Sequence, residues 1–156
     1  MSNNAKFKKW HLYLFGIIVL IFVVLKLYDW LYWPKAEALI AGHEISVLVA
    51  DTATHWHKGL SGRDGLKENE GMWFKMNSLG YYTMVMRDME FSIDIVWIDE
   101  GKIVDIAPGL KPEKDRPEAL LTSYRPRLPA TAVLELPAGF IARNGIKIGD
   151  TAVFKP

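Results

Sequence analysis

From Leu12 to Leu25 the chain is uncharged and almost wholly apolar (LYLFGIIVLIFVVL), with no polar face at any helical or strand period. The run resumes after Lys26 through Leu27, Tyr28, Trp30, Leu31, Tyr32 and Trp33, interrupted again only by Asp29. As a helix, residues 10–33 would extend about 36 Å at ~1.5 Å per residue, against a bilayer core of about 30 Å. The pattern therefore predicts a transmembrane signal anchor over 10–33. Trp10 and Tyr13 mark one end and Tyr28, Trp30, Tyr32 and Trp33 the other, where aromatic belts are found. Lys26 and Asp29 stand three apart and can pair at the interface, with Lys26 free to snorkel outward.

Lys6, Lys8 and Lys9 place residues 1–9 on the cytoplasmic side as a basic tail, and the remainder in the periplasm or outside the cell. A cleaved signal peptide starts in the same way. The small-x-small site near the run, Ala36-Glu37-Ala38, lies beyond a bulky aromatic stretch and Pro34, so a retained anchor is the preferred reading.

Beyond a linker expected at 34–42, the pattern changes to short alternating runs. His43 to Ala50 points Ile45, Val47 and Val49 to one side, as a half-buried strand does. Asp51 to Thr54 offers N-cap chemistry for a short helix that should stop between Gly59 and Gly62. Gly71 to Met76 and Tyr81 to Met86 read as strands around Asn77-Ser78-Leu79-Gly80. Ile93 to Ile98 and Lys102 to Ile106 flank Asp99-Glu100-Gly101, a hairpin signal. Thr131 to Leu136 and Thr151 to Phe154 complete the set, with a short helical turn after Pro137-Ala138-Gly139. There is no repeat and no β-α-β alternation. Residues 43–156 should form one mainly β domain, a compact antiparallel sandwich or barrel with one or two short helices.

Composition narrows the function classes. The chain has 156 residues, no cysteine and a formal net charge of +1. Without cysteine there are no disulfides, no thiol catalysis and no thiolate-bound zinc. A near-neutral balance argues against a nucleic-acid partner, which would call for a basic face.

Four strings occur in a recognisable order: Gly59-Leu60-Ser61-Gly62-Arg63, Gly71-Met72-Trp73-Phe74, Met86-Arg87-Asp88 leading to Ile93-Asp94, and Val133 to Gly139 followed by Gly145-Ile146 and Gly149-Asp150. Together, over about Ile45 to Phe154, they resemble the domain-of-unknown-function 192 family. The resemblance implies a jelly-roll-like β fold behind an N-terminal signal or anchor, and no settled activity. The family usually has asparagine where this chain has Asp88, and proline where it has Ser92. Arginine is common just before the Gly-Leu pair, where this chain has Trp56-His57. A site relying on that arginine or asparagine would be altered here.

Two carboxylates break apolar strands, Asp94 within Ile93–Ile98 and Glu135 within Ala132–Leu136. Buried unpaired, they would be costly, so they should find partners or line a cleft. Arg63 and Arg87 are the natural partners, with Asp88 beside them. Such forks can hold the fold or bind a small anionic or sugar-like ligand, and the structural role is preferred. A two-carboxylate hydrolase using Asp94 and Glu135 is the alternative. His55 and His57 diverge on a helix, and without a third ligand they imply no metal. Met72, Met76, Met84, Met86 and Met89 lie among Trp73, Phe74, Tyr81 and Tyr82. They read as packing, or else as a soft surface for an apolar ligand or partner. No cofactor is implied. The expected role is a membrane-anchored, extracytoplasmic module that binds a small ligand or serves as accessory subunit of a membrane complex, contacting it through helix 10–33 and the aromatic and methionine-rich surface.

Overall fold

The computed structural model describes residues 9–156, with backbone alone at Lys9, Asp29 and Trp30. The expected cytoplasmic tail with Lys6 and Lys8 lies outside the described residues, as do the Lys26–Asp29 pairing and the Trp30 side chain. The chain divides into two units, 1–33 and 34–156.

The first unit is one helix, α1 (Lys9–Leu31). Within it Trp10–Tyr28 is a stretch of 19 residues, long and apolar enough to cross a membrane. Apolar residues occupy every side of this helix, so it has no polar face. Helical structure ends at Leu31, before Tyr32 and Trp33. Pro34 disfavours helical geometry in the residue before it, which accounts for a stop slightly earlier than the expected Trp33.

The second unit is a single seven-stranded sheet. Its strands are β1 (Lys35–Ile40), β2 (His43–Ala50), β3 (Glu70–Gly80), β4 (Ile93–Asp99), β5 (Lys102–Leu110), β6 (Ala130–Pro137) and β7 (Ala152–Lys155). They lie in the order β5-β4-β6-β3-β2-β1-β7. Every pairing is antiparallel except β2 with β3. That parallel pair requires a crossover, and residues 51–69 provide it, including helix α2 (Ala53–Lys58). The sheet curls into a half-barrel whose end strands meet. The Ile103 N–H donates to the Asp150 carbonyl (2.9 Å) and the Ala152 N–H to the Gly101 carbonyl (3.0 Å). The mainly β class expected from the strand pattern therefore stands, with the barrel as the nearer description.

The inner face carries the core: Ile40, Ile45, Val47, Trp73, Val96 and Leu134 are among its members. Phe140 and Ile141 of the short helix α3 (Phe140–Arg143) also join it. The alternation seen in β2 is confirmed, with Ile45, Val47 and Val49 all buried.

Two expectations need correction. Residues 35–40 are not linker but strand β1, because Ala38 and Ile40 supply a buried side and Ala41-Gly42 turns the chain back into β2. Tyr81–Met86 is not a strand. β3 runs on through Asn77-Ser78-Leu79-Gly80, and beyond it only Met84 pairs, as a single bridge to Tyr124. The 81–92 segment instead crosses the outer face of the sheet, fastened there by the Trp97 indole N–H donating to the Tyr82 carbonyl (2.8 Å).

Candidate functional site

β4 and β6 are neighbours in register, with Asp94 opposite Leu136 and Ile95 opposite Glu135. Directly opposed residues in an antiparallel pair share a face, and successive residues alternate. Asp94 therefore joins Leu136 on the core side, and Glu135 joins Ile95 on the outer side. The sheet separates them, so the expected two-carboxylate acid–base pair is not assembled.

Asp94 is fully buried. One of its oxygens accepts from the N–H groups of Gly109 (2.7 Å) and Gly139 (3.1 Å), the other from that of Ile141 (2.9 Å). Its partners are backbone amides from the end of β5 and the start of α3, not the expected Arg63 or Arg87. Three charge-assisted bonds satisfy the carboxylate and tie two chain segments to β4. Gly139 has φ +82, a left-handed conformation that suits glycine and that lets the turn present its N–H to Asp94. Asp94 is a structural clasp.

Glu135 is only 4% exposed, and its Oε2 has no hydrogen-bond partner. On its face lie Met72, opposite it on β3, and Ile95. Burial among such groups pushes the Glu135 carboxyl up to about 8, so it is neutral at pH 7. It lines a cleft of about 310 Å³. Trp56, Phe74, Met84 and Met89 also line this cleft, together with the polar or cationic groups His57, Lys58, Ser61 and Arg87.

Local chemistry positions these walls. Thr52 caps α2 by accepting from the His55 N–H (3.2 Å). The Trp56 indole N–H donates to the Ala50 carbonyl (2.9 Å), turning its ring beside Phe74. Ser61 donates its hydroxyl to the Arg87 carbonyl (2.7 Å), and the Gly62 N–H donates to the Asp88 carbonyl (3.0 Å). These bonds join the Gly-Leu-Ser-Gly and Met-Arg-Asp strings across the cleft. Asp88 has φ +49. Asparagine and aspartate tolerate this region better than other side chains, so Asp88 meets the same backbone demand as the family's usual asparagine.

Arg87 donates through Nη1 to the His57 carbonyl (2.9 Å) and pairs through Nη2 with Glu118. Its Nε–H is buried without a partner. Arg63 stands elsewhere, lining a separate groove with Lys35, Ser46 and Glu70. Burial lowers its pKa, partly countered by the Glu70 charge. An arginine–carboxylate pairing of the expected kind occurs instead between two residues that the strand pattern did not single out. Arg127 Nε and Nη2 donate to Asp105 (3.0 and 2.5 Å), beside the Arg127 backbone N–H (2.7 Å).

Of the expected site residues, Arg87 and Glu135 meet in one cleft, Asp88 adjoins it, and Arg63 and Asp94 stand apart. Phe74, Met84 and Met89 were legible as part of an aromatic and methionine-rich string, and Trp56 only as the neighbour of His57 where the family commonly has arginine. That string divides: Met72, Met86 and Met89 are buried, while Met76 and Met84 are half-buried. Together with Trp56, Phe74, Tyr81 and Tyr82, the two half-buried methionines line a second groove that continues the first.

The family model DUF192, described as Uncharacterized ACR, matches residues 36–154. The chain belongs to this family. Among solved structures, a DUF192-like fold is shared with a protein of unknown function from Novosphingobium aromaticivorans (29% identity, TM-score 0.69), over 76% of this chain and 84% of that one. A protein from Sinorhizobium meliloti, provisionally described as a transcription regulator, superposes with a TM-score of 0.72 at 24% identity. The match covers 80% of this chain and 96% of that one, and at this identity it bears on the fold alone. No curated protein matches the chain significantly.

Proposed function

We propose that this DUF192 protein is a membrane-tethered, extracytoplasmic binding module whose site is the cleft over Glu135. The observation that carries the reading is the buried Glu135 Oε2, which lacks a partner in a cleft open to solvent. Leaving a buried polar atom unmatched costs about 1–3 kcal/mol. A ligand that reaches it recovers that energy. The same position has no use in the structural scheme that Asp94 serves.

The tether is α1. Ala36-Glu37-Ala38, the one small-x-small site near it in the sequence, lies inside β1, where Ala38 pairs with both Ile45 and Phe154. Cutting there would remove four of the six residues of a strand paired on both sides, which supports a retained helix. A partner within the membrane, with this domain as accessory subunit, is compatible with the same tether. Co-purification of a defined larger complex in mild detergent is its test.

For the cleft, the full chain in lipid nanodiscs, labelled at methionine methyls, can be screened with a mixture of small neutral and charged aromatic fragments. The reading predicts shifts at Met84 and Met89 that Glu135→Leu abolishes. Fragments that move neither methyl, or that bind Glu135→Leu equally well, overturn it.

A further inference from the structure

The residues lining the cleft have a charge bias that defines the class of ligand. Lys58 and Arg87 bring positive charge to it. The one carboxylate in the lining, Glu135, is neutral at pH 7 because it is buried. Burial, and after it the charge of Arg63, lowers the pKa of Lys58. Glu118 offsets part of the Arg87 charge through Nη2, but the buried Nε–H still has no acceptor.

Resting on the binding role proposed above, we infer that the cleft takes a small amphipathic acid, its anionic group accepting from Arg87 and its apolar body lying between Phe74 and Met84, with a neutral hydrogen-bonding group at the Glu135 carboxyl. Two residues of one lining each carry a buried polar atom without a partner, a guanidinium N–H and a carboxyl oxygen, which calls for an acceptor at one end and a neutral polar group at the other. The walls between them are apolar or aromatic, so the intervening body should be too. A cationic ligand fits poorly. It meets Lys58 and Arg87 on entry, and its natural counter-ion, Glu135, would have to ionise against its burial. A polyanion such as a phosphate ester also fits poorly, because the Nη donors of Arg87 are already engaged.

Three probes share one ring and differ in charge: 4-hydroxyphenylacetate, p-cresol and tyramine. Titrated into the full chain in nanodiscs and read at the Met84 and Met89 methyls, the acid should bind about tenfold tighter than p-cresol, the worth of one charge-assisted hydrogen bond. Tyramine should be weakest. Arg87→Gln should remove the advantage of the acid over p-cresol. The charged or titratable groups lining the cleft with Glu135 are His57 and Lys58 from α2 and Arg87 from the 81–92 segment, and its strand neighbours Met72 and Ile95 are apolar. Binding of the acid should weaken as pH rises through about 8, where Glu135 ionises. In Glu135→Gln, which keeps a donor and an acceptor, that pH effect should vanish. Equal or tighter binding of tyramine or p-cresol, or no binding of the acid, overturns the acid assignment. The binding role itself fails only if the broader fragment mixture leaves both methyls unmoved or binds Glu135→Leu equally well.

Discussion

Asp94 and Glu135 sit on adjacent strands one register position apart, yet their carboxyl groups leave opposite faces of the sheet. One is saturated by three backbone amides; the other has an oxygen with no partner. Two acidic residues that look alike in the sequence are a saturated clasp and a buried carboxyl with an unmatched oxygen beside a cleft.

Asp94→Asn should destabilise the domain by about 2–4 kcal/mol, because an amide keeps one acceptor and turns an NH2 toward a backbone N–H. Thermal unfolding of the detergent-solubilised chain, followed by circular dichroism, measures this. A loss under 1 kcal/mol would mean that the three bonds do not hold α3 and β5 in place.

Glu135 makes stability depend on pH in the unusual direction for an acid. Its folded pKa, about 8, exceeds the ordinary 4.5, so between these values the folded state holds a proton that the unfolded state has released. Stability should therefore fall as pH rises from about 4.5 to about 8 and then level off, by a few kcal/mol in all. Glu135→Gln should flatten that slope in a series of melting temperatures against pH. An unchanged slope would place the carboxyl in a more polar setting.

For Asp105, burial raises the pKa, but the hydrogen bonds and charge of Arg127 and the Ile106 N–H outweigh it and the net shift is downward. Its contribution is present above the ordinary 3.8 and is lost as pH falls through the lower folded value. Arg127→Ala should lower the melting temperature by a few degrees at pH 7, and by progressively less toward pH 3. A deficit constant with pH would point to lost packing by the arginine stem instead.

Gly71 opens the Gly-Met-Trp-Phe string because β3 and β6 approach closely there. A Cβ at this position would lie 2.8 Å from the Glu135 carbonyl and 3.3 Å from Leu134 Cδ1. The first obstacle is backbone, so Gly71→Ala should cost about 1–3 kcal/mol, read as a lower melting temperature. A neutral result would show that β6 can shift without loss.

Topology is testable because the chain has no cysteine of its own. A single cysteine at the exposed Lys102 should react with a membrane-impermeant maleimide in spheroplasts, and one at Ser2 only after lysis. The opposite pattern would reverse the proposed orientation.

Much of the fold was readable along the chain. The uninterrupted apolar run, the alternation of Ile45, Val47 and Val49, and the Asp99-Glu100-Gly101 hairpin depend on near neighbours, which the sequence records directly. Strand β1 was hidden because Ala36, Ala38 and Ile40 are too small a signal beside a proline and a hydrophobic helix. The end of β3 was hidden because Asn77-Ser78-Leu79-Gly80 has turn chemistry, while its extended form is tied to distant Ala130 of β6, which pairs with Gly80.

By itself, the order of residues determined that an apolar helix precedes a mainly β domain of the DUF192 family, and that Asp94 and Glu135 are too polar for their strands. Only the tertiary structure decided which of them was answered. Strand register sets the face each carboxyl leaves by, and the partners of Asp94 are backbone amides, which every residue type but proline carries and no motif reveals. The cleft likewise depends on α2 and the 81–92 segment meeting over β6. That is a long-range contact, so Trp56, Phe74, Arg87 and Glu135 become one site only when the chain is folded.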